Sequence, residues 1–194
     1  TEDWEFNVLD VYNYKRPGHL DGYFTFVQEH AHLPGDVLEA GVFKGKSLLG
    51  MALLLSELGS SKKIYGYDTW SGFPPIHSSQ DSLESWERLF RGGRITKRHL
   101  DSARLQLSHR ALGAQATRKI DSSNISLSGD FSGALKADLE KKIAYLELDN
   151  VVLVQGDFAK TMAAGSDGPR ELMAAILDAD LYASYKTALP YIWP

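Results

Sequence analysis

Acids and glycines stand at the ends of short apolar runs in this chain, a pairing that suits capture of a nucleoside-bearing ligand. Four such ends are Glu39-Ala-Gly41, Asp68-Thr69, Gly156-Asp157 and Asp178-Ala-Asp180. Gly41 and Gly45 carry no side chain, so a ligand can approach their backbone closely. Asp68 follows Gly41 by 27 positions, and a carboxylate at the end of a second strand can accept both hydroxyl hydrogens of a ribose. Asp178 and Asp180 flank a single alanine. Two acids so close repel unless a cation, a proton or solvent separates them. Mg²⁺ would take one or two such carboxylates and complete its shell with water or substrate oxygens, whereas the plainer role is a solvated strand end or a helix N-cap.

These residues need elements to bring them together. Asp36–Gly41 reads as a short buried strand ending in a turn, and Ser47–Leu58 as a strongly apolar helix with Gly59 as its stop. Lys63–Asp68 is a second strand, followed by the loop residues Gly72-Phe73-Pro74-Pro75. Val151–Gln155 and Ala174–Asp178 are two more strands, and an amphipathic run begins at Ser184. Strand–turn–helix units in succession predict a Rossmann-like, doubly wound parallel sheet with right-handed crossovers. In such a sheet the carboxyl ends of the strands share one edge, so all four acidic ends would surround one crevice. Upstream, Leu20, Tyr23, Phe24 and Val27 recur at helical spacing and predict a helix laid over the core.

The 194 residues suit one domain, with residues 76–150 as a helical insertion or lid. Within it, a helical pattern covers residues 133–147 and Ser122–Asp130 is a turn-rich spacer. Nine Lys and Arg between Arg88 and Lys119 face one acid, a local balance of +8, although the whole chain carries −4. The net charge argues against a dedicated nucleic-acid binder, and a solvated helix face explains the basic stretch as well as an RNA or anionic-substrate site does. No apolar run is long enough to cross a bilayer. The absence of cysteine excludes disulfides, a thiolate nucleophile and cysteine-ligated zinc, in agreement with a cytoplasmic setting. The chain opens at Thr1 and stops at Pro194 after an apolar stretch, so both ends read as cut.

Four motifs carry a resemblance: Glu39-Ala-Gly-Val-Phe-Lys-Gly-Lys-Ser47, Tyr67-Asp-Thr-Trp-Ser-Gly-Phe-Pro-Pro75, Val154-Gln-Gly-Asp-Phe158 and Leu177-Asp-Ala-Asp-Leu-Tyr-Ala-Ser184. Over about residues 35–75 and 150–194 the chain resembles the macrocin O-methyltransferase family, class I S-adenosylmethionine-dependent enzymes that methylate sugar hydroxyls on natural products. The resemblance implies that Glu39 and Gly41 line the methionine end of the cofactor, that Asp68 binds its ribose, and that Asp157 and Phe158 border the adenine. Gly45, Ser47, Thr69 and Gly156, in the same motifs, complete the expected cofactor-binding set. Asp178 becomes a Mg²⁺ ligand beside the acceptor hydroxyl and a catalytic residue. The family also has an Asp-Asp pair one strand later, and this chain ends before that strand, so a C-terminally truncated fold is expected. The chemistry would be displacement at a sulfonium methyl, with Asp178 or a lid histidine, His99 or His109, taking the proton. The acceptor would be a hydroxylated, glycosidic small molecule; a homo-oligomer stays open.

Other readings compete. Ala40-Gly-Val-Phe-Lys-Gly-Lys-Ser47 nearly fits a phosphate-binding P-loop, with alanine in place of its first glycine. Tyr182-Ala-Ser-Tyr-Lys186 matches the Tyr-x-x-x-Lys spacing of short-chain dehydrogenases, but no Gly-x-Gly-x-x-Gly stands in the first unit. His30-Ala-His32 lacks a third metal ligand. A non-catalytic binding module with a methyltransferase-like fold is the remaining alternative.

Overall fold

Strand β1 (Asp36–Ala40) is short and fully covered, with every residue from Val37 to Ala40 buried. Its alternation decides what each face meets. Val37 packs into a cluster with the helix that follows, while Leu38 and Ala40 join the cluster on the opposite face. Glu39 shares Val37's side and is thereby sent under that helix. In this computed structural model, residues 2–73, 79–81, 83–110, 131, 133–163 and 167–194 are described.

The sheet has four parallel strands in the order β3-β2-β1-β4. Here β2 is Ile64–Asp68, β3 Val151–Gln155 and β4 Leu172–Leu177. The chain steps outward from β1 to β2 to β3, then returns to lay β4 on the other side of β1. A crevice opens where that direction reverses, above the carboxyl ends of β1 and β4. Registry aligns those ends: Ala40 pairs with both Tyr67 and Leu177, and Asp68 with Gln155.

Before β1 come α1 (Asp3–Val8) and α2 (Asp21–His30); α3 (Lys46–Glu57) joins β1 to β2. Helix α3 is apolar all round because it is sandwiched. One side meets the sheet, and Phe6, Tyr12, Phe24 and Val27 of the N-terminal segment cover the rest. Leu48, Leu49, Met51 and Leu55 are wholly buried there, each contributing about 1.5–3 kcal/mol by area bookkeeping. Gly59, at φ +62°, stops the helix as its sequence suggests, with Ser60 N–H donating to Leu55 O at 3.0 Å. The opposite face of the sheet is covered by α7 (Phe158–Thr161) and α8 (Tyr182–Ile192), through Phe158, Met162 and Ala188.

Between β2 and β3 lie a 3-10 turn (Ser79–Asp81), α4 (Leu83–Arg91), α5 (Lys97–Arg110) and α6 (Lys136–Tyr145). Helices thus occupy much of the described stretch between these two strands. Pro74-Pro75, Arg118, Lys119 and the 122–130 spacer lie outside the described residues. Element ends shift slightly from expectation: β4 starts at Leu172, and α8 begins at Tyr182. No helix among the described residues is long and apolar enough to cross a membrane.

Candidate functional site

Gly41 ends β1 in a conformation few other residues adopt, φ +93°, and a Cβ there would lie 2.1 Å from the Asp178 carbonyl oxygen. The two strand ends thus touch through backbone alone, with Asp178 N–H donating to Ala40 O at 2.9 Å. The next two amides turn toward β2. Val42 N–H and Phe43 N–H both donate to Asp68 Oδ2 at 2.8 Å, and Trp70 N–H donates to Oδ1 at 2.8 Å. Trp70 Nε1 closes the loop by donating to Phe43 O at 3.0 Å. One carboxylate therefore braces the glycine turn against the second strand, through hydrogen bonds strengthened by its charge.

Glu39 lies beneath this turn, 2% exposed. Ser47 Oγ, from the first turn of α3, donates to its Oε1 at 2.7 Å, while Oε2 has no partner among the described residues. Burial pushes the carboxyl pKa up to about 8, with the charges of Asp178 and Asp68 adding to the rise and the Ser47 bond opposing it. At neutral pH Glu39 is mainly a neutral acid. The Tyr23 hydroxyl of α2 is also buried without a partner among the described residues, and its pKa is raised by burial and then by Glu39.

Asp157 caps α7, accepting from Ala159 N–H at 2.8 Å, and so fixes Phe158 at the cavity wall. After β4 the backbone makes a tight turn. Leu181 N–H donates to Ala179 O at 2.5 Å across Asp180, which is held at φ +55°. A three-residue turn with a positive central φ is a strained form.

These groups surround one cavity of about 450 Å³, in the range of small-molecule sites. Gly41, Ser47, Asp68, Thr69, Asp157, Phe158 and Asp178 all line it, as does Asp180. Glu39 sits just below, reached through Ser47. Gly45 and Gly156 stand elsewhere. A Cβ on Gly45 would meet Leu139 Cδ1 at 2.4 Å, so its smallness serves packing against α6. Gly156 N–H donates to Asp68 O, and its Cβ position faces Thr161. His99 lies on α5 against Trp86 in a separate groove, and His109 is exposed on the same helix. Neither lines the main cavity. His30 and His32 stack at the end of α2, and no group of three potential metal ligands occurs among the described residues.

Sequence reasoning missed part of the lining. Tyr12 and His19 reach the cavity from the N-terminal segment, where Tyr12 N–H donates to Lys46 O at 2.8 Å. Phe43, Phe73 and Phe131 add an aromatic wall, with Phe131 edge-on to both other rings. The aromatic richness of residues 4–35 was the available signal for the first pair; nothing local marks Phe131.

Solved structures similar to this chain include two methyltransferases. The O-methyltransferase NovP superposes with a TM-score of 0.61 at 16% identity, over 90% of this chain and 59% of its own. CalS11, a calicheamicin methyltransferase, gives 0.54 at 19% identity, over 98% of this chain and 60% of its own. The fold is that of the class I methyltransferases. This chain spans about three fifths of the length of either structure. No family model and no curated protein matches it.

Proposed function

We propose that the protein binds S-adenosylmethionine and is an O-methyltransferase of the macrocin type, acting on a hydroxyl of a sugar or glycosylated small molecule. One observation carries this reading: the ends of all four strands meet around a single cavity, with a glycine turn on one side and the Asp178–Asp180 turn on the other.

The cavity fits the cofactor in size and in chemistry. Beneath its floor, behind Ser47, lies the buried Glu39 Oε2 without a partner among the described residues, and the Gly41 turn leaves no side chain between backbone and ligand. Bound there, S-adenosylmethionine would supply an electrophilic methyl on its sulfonium. Asp68 holds the turn that shapes this side and retains acceptor capacity on Oδ1 for a ribose hydroxyl. Asp157 and Phe158 border the adenine end. Glu39, protonated at neutral pH, presents a neutral hydrogen-bonding group toward Ser47 and the methionine end. Asp178 accepts the proton of the acceptor hydroxyl, and the residues between β2 and β3 act as a lid that excludes water. Orientation of this kind supplies up to roughly 7–11 kcal/mol of a bimolecular barrier. Asp178 is the residue that would hold Mg²⁺, which when bound would lower the pKa of the acceptor hydroxyl; no group of three potential metal ligands occurs among the described residues.

A nucleotide-phosphate site fits less well. Of the loop amides that a P-loop would turn toward phosphate, those of Val42 and Phe43 are taken by the Asp68 carboxylate and that of Gly45 by Val42 O. The test is to incubate the protein with S-adenosylmethionine carrying a labelled methyl and a panel of glycosides with free sugar hydroxyls. A product heavier by one methylene unit supports the reading; binding of the cofactor with no transfer to any panel member favours the non-catalytic module.

A further inference from the structure

Helix α8 starts one residue after the Asp178–Asp180 turn, and its own N-cap residue, Leu181, has no side-chain oxygen to offer. The cap comes from 101 positions upstream. Asp81 Oδ1 accepts from Tyr182 N–H at 2.6 Å, and Oδ2 accepts from Ala183 N–H at 3.2 Å. Asp81 is 8% exposed, and its negative charge also suits the positive end of a helix. The residue belongs to the segment between β2 and β3. Ser85 Oγ of α4 donates to Gln80 O at 2.5 Å, and Arg104 of α5 pairs with Glu87 of α4 at 2.7 Å. A continuous chain of contacts therefore runs from α5 through α4 to Asp81 and on to the helix that anchors the acidic turn.

From this geometry we infer that Asp81 is a positioning residue: it latches the inserted helices onto α8 and holds the strained Asp178–Asp180 turn at the wall of the cavity. The turn needs such a restraint. Asp180 occupies a left-handed conformation that costs free energy, and Leu181 on its far side leads directly into the first turn of α8. Two amides bound to one buried carboxylate fix it. The described inserted helices and the acidic turn are thus tied through one carboxylate. This positioning role rests on the methyltransferase reading; the latch itself does not.

The test compares the unaltered protein with Asp81→Ala and Asp81→Asn, by hydrogen exchange and by binding of two ligands. S-adenosylhomocysteine reports the Gly41 and Asp68 side. Sinefungin, which carries an amine where the transferred methyl would be, also reports the acidic turn. In Asp81→Ala, exchange of the Tyr182 and Ala183 amides should accelerate at least tenfold while amides of α3 stay unchanged. Sinefungin should bind at least fivefold more weakly, and S-adenosylhomocysteine should change less than twofold. Asp81→Asn, which keeps one acceptor oxygen but turns an NH₂ donor toward the second backbone N–H, should restore protection at only one of the two amides. Unaltered exchange at Tyr182 and Ala183 would overturn the latch. Equal weakening of both ligands, or acceleration spread across α3, would overturn the positioning role. If the unaltered protein binds neither ligand, the proposed function fails and the positioning role with it, while the exchange comparison still decides the latch.

Discussion

Asp68 accepts three backbone N–H groups that belong to two different loops. Removing it frees the glycine turn and leaves those amides without their partner, and hydrogen bonds to a charged group are worth about 1.5–3 kcal/mol each. Asp68→Ala should therefore weaken S-adenosylmethionine binding at least tenfold, measured by equilibrium dialysis; unchanged affinity would remove Asp68 from the site. Glu39 makes a different prediction. Folded, it keeps its proton up to about pH 8, whereas its ordinary value is 4.5. The folded state thus binds more protons between those two values. The associated stability is fully present below about pH 4.5 and is lost as pH rises through about 8. One pKa unit corresponds to about 1.4 kcal/mol, so Glu39→Gln should unfold in urea much like the unaltered protein at pH 5 and exceed it by at least about 1 kcal/mol at pH 8.5. Parallel pH profiles for the two would contradict a neutral Glu39. The acid–glycine spacing exposed both residues in the sequence, but not these partners. Nothing in the order of residues shows that Asp68 would spend three of its acceptor sites on backbone.

Among the elements, the contact between β1 and β4 is the most demanding. Gly41→Ala must both strain φ +93° and displace the Asp178 carbonyl, whereas Gly59→Ala meets open space and bears only the strain of φ +62°. The first should cost at least about 2 kcal/mol more than the second in chemical unfolding, since a left-handed residue alone costs about 1–2 kcal/mol. Equal losses would mean that the strand ends do not meet closely. Strands and central helices could be read from the chain because their signals are local: Val151–Gln155 is β-branched and apolar, and α3 is an unbroken apolar run closed by glycine. Short α7 went unread because a four-residue helix has no periodicity, and its cap, Asp157, reads equally well as a ligand. The Asp81 cap of α8 was hidden for another reason. Its partners are 101 and 102 positions away, and sequence patterns carry no information on pairing at that distance.

At the scale of the whole molecule, the four strands hold one cavity at their common edge, and the N-terminal segment, the insertion and α8 each contribute to its walls. A ligand that bridges these parts stabilises all of them together. At a concentration one hundred times its dissociation constant, such a ligand adds about 2.7 kcal/mol, which for a chain of this size should raise Tm by about 5–10 °C. S-adenosylhomocysteine should produce that shift in a thermal melt, and a Tm that stays put at saturation would mean that it does not bind the folded cavity. The insertion's basic helices do not alter this expectation, because their charges lie on exposed side chains such as Arg91 and Lys97. The most direct measurement is a calorimetric titration of the protein with S-adenosylmethionine, beside one with ATP and Mg²⁺. One saturable site for S-adenosylmethionine and none for ATP is the expected result; heat from ATP alone, or from neither ligand, would refute a cofactor site at the strand ends.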